Sequence, residues 1–200
     1  MEDREPKLIF RTSYGYEPLN GGVYRTFNDW RKRGKLGFLD LPGDRKLYKA
    51  SEGLASEMKN RADRMVVCGI GGSSLGLRAL LDAFTDSFGV SRVVVADSPD
   101  SSLAEEIKED LDPSRTALTV VTKSGGTAET MSLFLSFHEW ISGSPDWKKR
   151  IVAVTDPEKG DLRKLARDNG WSALPVPQNV GGRFSVNSPV GLFPAIFAGI

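Results

Sequence analysis

Residues 64–76 have the sequence RMVVCGIGGSSLG, in which an apolar run is followed directly by glycines and serines. The apolar run is short and does not alternate with polar residues, which is typical of a strand buried on both faces of a parallel sheet. The glycines allow a tight turn into a helix that begins near Leu75. This stretch therefore predicts the first strand, loop and helix of an α/β fold.

The same pattern recurs through the rest of the chain. The predicted strands occupy 64–70, 92–97, 117–122, 151–155 and 173–176. The predicted helices between them occupy 75–84, 102–109, 128–141 and 161–169. Strands that alternate with helices predict a five-stranded parallel sheet with helices on both faces, a three-layer α-β-α sandwich.

The residues before this pattern, 1–60, are predicted to form a helical N-terminal extension. Val23, Phe27 and Trp30 have the spacing of one helical face, and Asp44 is a candidate N-cap for a helix that runs to about Asn60. The α/β domain then occupies 61–180, and 181–200 lead into the start of a truncated helix. Because the chain is apolar up to its last residue, we expect it to be the N-terminal part of a longer protein.

The composition limits the possible functions. A net charge of +1 argues against a nucleic-acid or acidic membrane partner, and no apolar run is long enough to cross a membrane. Cys68 is the only cysteine, which excludes an internal disulfide, predicts no metal site and fits a cytoplasmic protein. The only histidine, His138, is predicted to be structural. The basic run Lys148-Lys149-Arg150 is predicted to be a solvated helix end.

Two loops carry residues suited to binding an anion. The loop 69–76 combines glycines with Ser73 and Ser74, and the loop 122–130 combines Gly125 and Gly126 with hydroxyl side chains and a lysine. Each loop follows a predicted strand and opens a predicted helix. Backbone amides at a helix N-terminus and hydroxyl donors can together satisfy a phosphate group.

The first loop alone permits a different interpretation. Gly69 and Gly71 fit a dinucleotide-binding G-x-G pattern, with Ser74 at the third small position and Asp97 where a ribose-binding acid would stand. A dinucleotide site does not need a second hydroxyl-rich anion loop, so 122–130 favours a phosphosugar. The alternative for 69–76 is a glycine-rich turn needed only for tight strand–helix packing, and the alternative for 122–130 is a well-capped helix.

A third segment, 179–186, contains Gly181 and Gly182 directly before Arg183. Glycines allow close packing and a fixed direction for the guanidinium, which stays charged and can stabilise a developing oxyanion. The alternative is a surface arginine that follows a turn.

At the segments 69–76, 122–130 and 180–185 the chain resembles the glucose-6-phosphate isomerase (phosphoglucose isomerase) family. The resemblance implies the sugar isomerase (SIS) fold, which is Rossmann-like. It implies that the substrate phosphate is held by Thr122, Ser124, Thr127 and the Lys123 backbone, and that Gly72 and Ser73 contact the sugar. It also implies that Arg183 stabilises an enediolate and that Glu129 supports the active site by orienting a histidine; an exposed helix glutamate is the alternative for Glu129.

The family reaction is an aldose–ketose isomerisation through a cis-enediol, a step of glycolysis and gluconeogenesis. The resemblance implies a hexose 6-phosphate substrate, no cofactor or metal, and a homodimer. The family's general base and ring-opening residues lie beyond the arginine segment, so we expect this chain alone to be inactive. A non-catalytic SIS module that senses phosphosugars is the alternative. Departures from the family pattern are Thr122 in place of serine, Ser74 in place of aspartate, and the pair Gly125-Gly126.

Overall fold

A computed structural model describes residues 21–88 and 91–200. The helices are α1 (Gly21–Lys32), α2 (Arg45–Lys59), α3 (Leu75–Phe88), α4 (Ser101–Glu109), α5 (Ala128–Ser142), α6 (Asp161–Asn169) and α7 (Pro189–Ala198). The strands are β1 (Arg64–Cys68), β2 (Val93–Ala96), β3 (Thr116–Val121), β4 (Ile151–Thr155) and β5 (Ser172–Pro175). The part of the predicted N-terminal extension before residue 21 lies outside the described residues.

The five strands form one parallel sheet with the order β2-β1-β3-β4-β5. This confirms the predicted α/β fold. Because β1 and β3 pair directly, the loops that follow these two strands leave the same edge of the sheet side by side. The predicted bounds of β4 and α6 match the structure, and β1 ends at Cys68 rather than at Ile70. The chain turns there because Gly71 adopts a positive φ of 60°.

Each face of the sheet packs against its own helices, which gives three layers. On one face α2, α3 and α7 cover strand residues such as Met65, Val67 and Val154. On the other face α4, α5 and α6 cover the alternate residues, such as Val66 and Ile151. Both sets of strand side chains are almost fully buried, which explains why the strands are apolar without alternation.

The helices that flank the α/β region have clear local signals. The Asp44 carboxylate accepts hydrogen bonds from the backbone N–H groups of Lys46 and Leu47, each at 3.1 Å, and so caps α2 as predicted. The Ser188 hydroxyl accepts a hydrogen bond from the Val190 N–H at 3.3 Å and caps α7. Both α2 and α7 contribute to the buried core, while the division of the chain at 60/61 and 180/181 stays a prediction.

The predicted helix around Val23, Phe27 and Trp30 is present as α1, and these three side chains are exposed. The interpretation of the run 148–150 as a solvated helix end is wrong for Arg150, which is 3% exposed. Its guanidinium donates hydrogen bonds to the backbone carbonyls of Pro113, Thr116 and Pro145 and to the Ser144 hydroxyl, and so links the chain around the start of β3 to the segment before β4.

No helix among residues 21–88 and 91–200 is long and apolar enough to cross a membrane.

Candidate active site

Three hydroxyl groups lie together immediately after β3. The Thr122 Oγ1 is 3.0 Å from the Thr127 Oγ1 and 3.3 Å from the Ser124 Oγ, and the Ser124 and Thr127 oxygens are 3.3 Å apart. Thr127 is the N-cap residue of α5, yet its side chain caps no helix amide. Its hydroxyl faces the other two hydroxyls at the positive end of the helix, where an anion is stabilised.

The loop after β3 packs closely against the start of α6, and both sides of the contact are glycines, Gly125 and Gly160. Gly125 has a φ of 79°, and a Cβ there would lie 2.8 Å from the Asp161 backbone nitrogen. Gly160 has a φ of 98°, and a Cβ there would lie 2.7 Å from the Ser124 carbonyl oxygen. The Leu162 N–H donates a 3.2 Å hydrogen bond to the Gly125 carbonyl. The loop therefore lies directly on the N-terminus of α6. This close contact gives a structural reason for the glycine at position 125, where the chain departs from the family pattern.

The Lys123 side chain leaves this loop and crosses to the segment after β5. Its Nζ donates hydrogen bonds to the carbonyl oxygens of Gln178, at 2.9 Å, and Val180, at 2.7 Å. The sequence analysis assigned only the Lys123 backbone to the phosphate, and nothing in the sequence indicated these two partners.

The first glycine loop contacts the arginine segment. Residues Gly71–Ser73 and Gly182–Phe184 each form a short 3₁₀ turn, and the two turns touch. A Cβ on Gly72 would lie 2.4 Å from the Gly182 carbonyl oxygen and 2.9 Å from the Arg183 Cα. The Ser185 hydroxyl donates to the Gly182 carbonyl at 2.7 Å and approaches the Gly72 carbonyl at 3.4 Å. The fold thus brings Gly72 and Arg183 together at the same edge of the sheet.

The remaining predicted residues take different positions. Ser73 is half-buried, and Arg183 is exposed with a guanidinium that forms no hydrogen bond or ion pair within the described residues. Ser74 is buried, and its hydroxyl donates to the Gly71 carbonyl at 3.2 Å, so it stabilises the turn. Glu129 is exposed in the first turn of α5, where a carboxylate also interacts favourably with the helix dipole.

An open cleft of about 420 Å³ lies beside these loops and is lined by Lys123, Ser124, Asp156, Lys159, Gly160 and Gly182. Three of these residues, Asp156, Lys159 and Gly160, were not singled out from the sequence. Asp156 directly follows β4, and ligands in open parallel sheets bind beyond the carboxyl ends of strands, so its position was a usable signal. Its carboxylate accepts the Glu158 and Lys159 backbone N–H groups, which hold its pKa below the usual range.

The residues that suggested a dinucleotide or a catalytic histidine have other partners. Asp97 accepts a 2.7 Å hydrogen bond from Arg78 Nη2, so its carboxylate is already paired. His138 packs among the rings of Phe134, Trp147 and Trp171, as expected for a structural histidine. Burial raises the pKa of the Cys68 thiol well above its usual range, which keeps it protonated. No cluster of acidic, histidine and cysteine side chains suited to a metal is found in the described ranges.

Solved structures of other proteins share this fold. A hypothetical protein from Thermus thermophilus superposes with a TM-score of 0.84 at 37% identity, covering 91% of this chain and 44% of that one. A glucose-6-phosphate isomerase from Chlamydia trachomatis superposes with a TM-score of 0.64 at 26% identity, covering 75% of this chain and 29% of that one. The architecture is the fold of the sugar isomerase domains, which a putative phosphosugar isomerase from Bacteroides fragilis shares with a TM-score of 0.55 at 16% identity, covering 88% of each chain.

The family follows from the sequence comparisons. The family model for phosphoglucose isomerase matches residues 51–200, and the chain belongs to that family. A glucose-6-phosphate isomerase of Thermus thermophilus is 40% identical over an alignment of 174 positions, and the alignment covers 84% of this chain and 41% of that protein. The chain thus spans about two fifths of the length of the curated relatives it matches.

Proposed function

We propose that this chain is the sugar-phosphate-binding part of an aldose–ketose isomerase that interconverts glucose 6-phosphate and fructose 6-phosphate through a cis-enediol. The observation that carries the proposal is the group of three hydroxyls at the start of α5, next to a loop pair that fixes an arginine backbone. The family membership of residues 51–200 supports the reaction type.

In this proposal the substrate phosphate lies at the N-terminus of α5. The hydroxyls of Thr122, Ser124 and Thr127 and the Lys123 backbone N–H donate hydrogen bonds to its oxygens. A phosphate at that position also interacts with the positive end of the α5 dipole. Because the phosphate does not change during isomerisation, these contacts stabilise the bound substrate and the transition state equally.

The sugar extends from the phosphate towards the first glycine loop, where Gly72 and Ser73 contact it. Arg183 stabilises the negative charge that develops on the enediolate oxygen, since a guanidinium remains protonated and donates in a planar fork. The exposed guanidinium of Arg183 is available for this role. Glu129 is proposed to support the site from the first turn of α5.

The proton-transfer groups have no assigned counterpart among these residues, so we propose that the chain alone is inactive and acts within a longer, cytoplasmic, homodimeric enzyme. No cofactor or metal takes part in this scheme. Its substrate is a hexose 6-phosphate rather than a nucleic acid or a membrane lipid.

The test is a coupled assay of the complete gene product that contains this chain, with fructose 6-phosphate as substrate. We expect isomerase activity and a large loss of kcat in Arg183→Ala. Arg115→Ala is the matched control, because Arg115 is an exposed arginine that precedes β3, at the opposite end of the strand from the candidate site, and pairs with Asp63. A complete protein that binds hexose phosphate without converting it would instead identify a non-catalytic phosphosugar sensor.

A further inference from the structure

We propose that Lys123 is a positioning residue for Arg183, because its side chain ties the segment that carries the arginine to the loop that holds the phosphate. The inference rests on the proposed function and assigns Lys123 a second role. Its backbone is part of the phosphate loop, while its ammonium group donates hydrogen bonds to backbone carbonyls of the arginine segment.

Apolar contacts hold part of the arginine segment, since the Phe184 ring stacks on Phe38 with centroids 4.7 Å apart and Val180 is buried beside Leu41 and Leu47. Polar and backbone contacts hold the segment at two further places. Lys123 Nζ binds the carbonyl oxygens of Gln178 and Val180, which come shortly before Arg183. On the other side, the segment rests against Gly72, where no Cβ would fit, and is fastened by the Ser185 hydroxyl. Arg183 itself lies in a short turn, which is closed by a 2.9 Å hydrogen bond from the Phe184 N–H to the Gly181 carbonyl.

The second support for a positioning role is the position of Lys123 within its own loop. It stands between Thr122 and Ser124, two of the three clustered hydroxyls, so a shift of the phosphate loop must move the base of the Lys123 side chain. A lysine ammonium has three donors, and the two carbonyls occupy two of them. The side chain thus acts as a bridge with defined ends rather than as a freely moving surface charge.

The consequence is that phosphate binding and arginine placement are linked. A hexose phosphate that orders the loop after β3 also orders the Lys123 bridge and the arginine segment, and by linkage the ordered segment favours phosphate binding. The rival explanation is that Lys123 contributes only positive charge to the cleft. Lys159 provides the matched comparison, because it lines the same cleft but its ammonium binds neither the Gln178 nor the Val180 carbonyl.

The experiment measures backbone hydrogen exchange in the complete gene product, with and without glucose 6-phosphate. In Lys123→Met we expect the peptide that contains 178–184 to exchange at least about fivefold faster and to lose its protection by glucose 6-phosphate. In Lys159→Met we expect that peptide to exchange as in the unsubstituted protein. Unaltered exchange in Lys123→Met would overturn the proposal, whatever the activity.

Kinetics supply the second readout. We expect Lys123→Met to lower kcat by about tenfold or more with a smaller change in KM, and to add little further loss when combined with Arg183→Ala, because both changes remove the same arginine contact. Fully additive losses would overturn the positioning role. Lys123→Arg retains donors that can reach carbonyls and is expected to restore part of kcat. If fast hydrogen exchange in peptides from the strands shows that Lys123→Met does not fold, Lys123→Arg takes its place in the experiment.

Failure of the proposed function has a different signature. A complete protein with no isomerase activity refutes the reaction, while faster exchange at 178–184 in Lys123→Met alone would still establish the physical tie.

Discussion

Replacing Gly72 by alanine tests the closest contact in the candidate site. The added Cβ would lie 2.4 Å from the Gly182 carbonyl oxygen, 2.7 Å from the Gly182 carbonyl carbon and 2.9 Å from the Arg183 Cα. All three atoms belong to the backbone, so no side chain can rotate away. To restore even a tight 3.0 Å separation, the arginine segment must retreat by at least about 0.6 Å.

The size of the effect follows from that displacement. Forcing an extra methyl group into a packed site costs about 1–3 kcal/mol in the free energy of unfolding. A misplacement of about 1 Å can lower a catalysed rate by roughly 10²-fold, so a shift of about 0.6 Å is expected to lower kcat about tenfold. KM is expected to change less, because the added methyl group meets Gly182 and Arg183 and does not touch the three hydroxyls before α5.

The measurement combines urea denaturation with kcat and KM for fructose 6-phosphate in the complete gene product. Gly182→Ala is the local control for folding, because a Cβ there would meet nothing within 4 Å. Gly53→Ala, on the exposed face of α2, is the distant control and is expected to be neutral or slightly stabilising. A Gly72→Ala protein with unchanged kcat and an unchanged free energy of unfolding would refute the close approach of the two loops.

Three further outcomes are expected. Thr127→Ala should raise KM more than it lowers kcat, with kcat/KM reduced about 10- to 100-fold by loss of a hydrogen bond to a charged group, whereas Thr127→Ser should remain close to the unsubstituted enzyme. Arg150→Met should lower the free energy of unfolding by about 3 kcal/mol or more, because it leaves buried carbonyls without donors. Lys149→Met, at an exposed neighbour, should change that free energy by less than about 1 kcal/mol. Equal urea midpoints for the two variants would contradict this prediction. Burial lowers the pKa of His138 below 6.5, so the unfolded state takes up a proton at a higher pH than the folded state does. The free energy of unfolding should therefore fall as the pH drops below about 6.5. His138→Phe should remove this dependence of the free energy of unfolding on pH, and an unaltered dependence would contradict the prediction.

Much of the fold could be predicted from local patterns. The run 151–155 is apolar up to Val154, and the helix Asp161–Asn169 has distinct polar and apolar faces. The predicted bounds of both elements therefore agree with the structure. The predicted end of β1 was less accurate, since Ile70 is apolar but precedes the turn that Gly71 imposes. Hydrophobic patterns locate the centre of a strand better than its last residue.

The candidate site was predictable in composition but not in its connections. Hydroxyls and glycines at the start of a helix identified the loop 122–130, and the resemblance to the isomerase family implied Thr122, Ser124 and Thr127 within it. The structure shows these three side chains within 3.3 Å of one another. The partners of Lys123 could not be predicted, because they are main-chain carbonyls 55 and 57 residues away, and a carbonyl has no signature in the sequence. The role of Arg150 was missed for the same reason.

The sequence by itself determined that the stretch 64–76 forms a buried strand followed by a glycine- and serine-rich loop and the start of a helix. Apolar runs, glycines and helix starts are local properties of the chain. Only the tertiary structure decided that this loop meets the Arg183 segment, more than a hundred residues later in the chain. That contact depends on the strand order β2-β1-β3-β4-β5, which brings the carboxyl ends of the strands to one edge. The apolar pattern of a single strand carries no information about which strand becomes its neighbour.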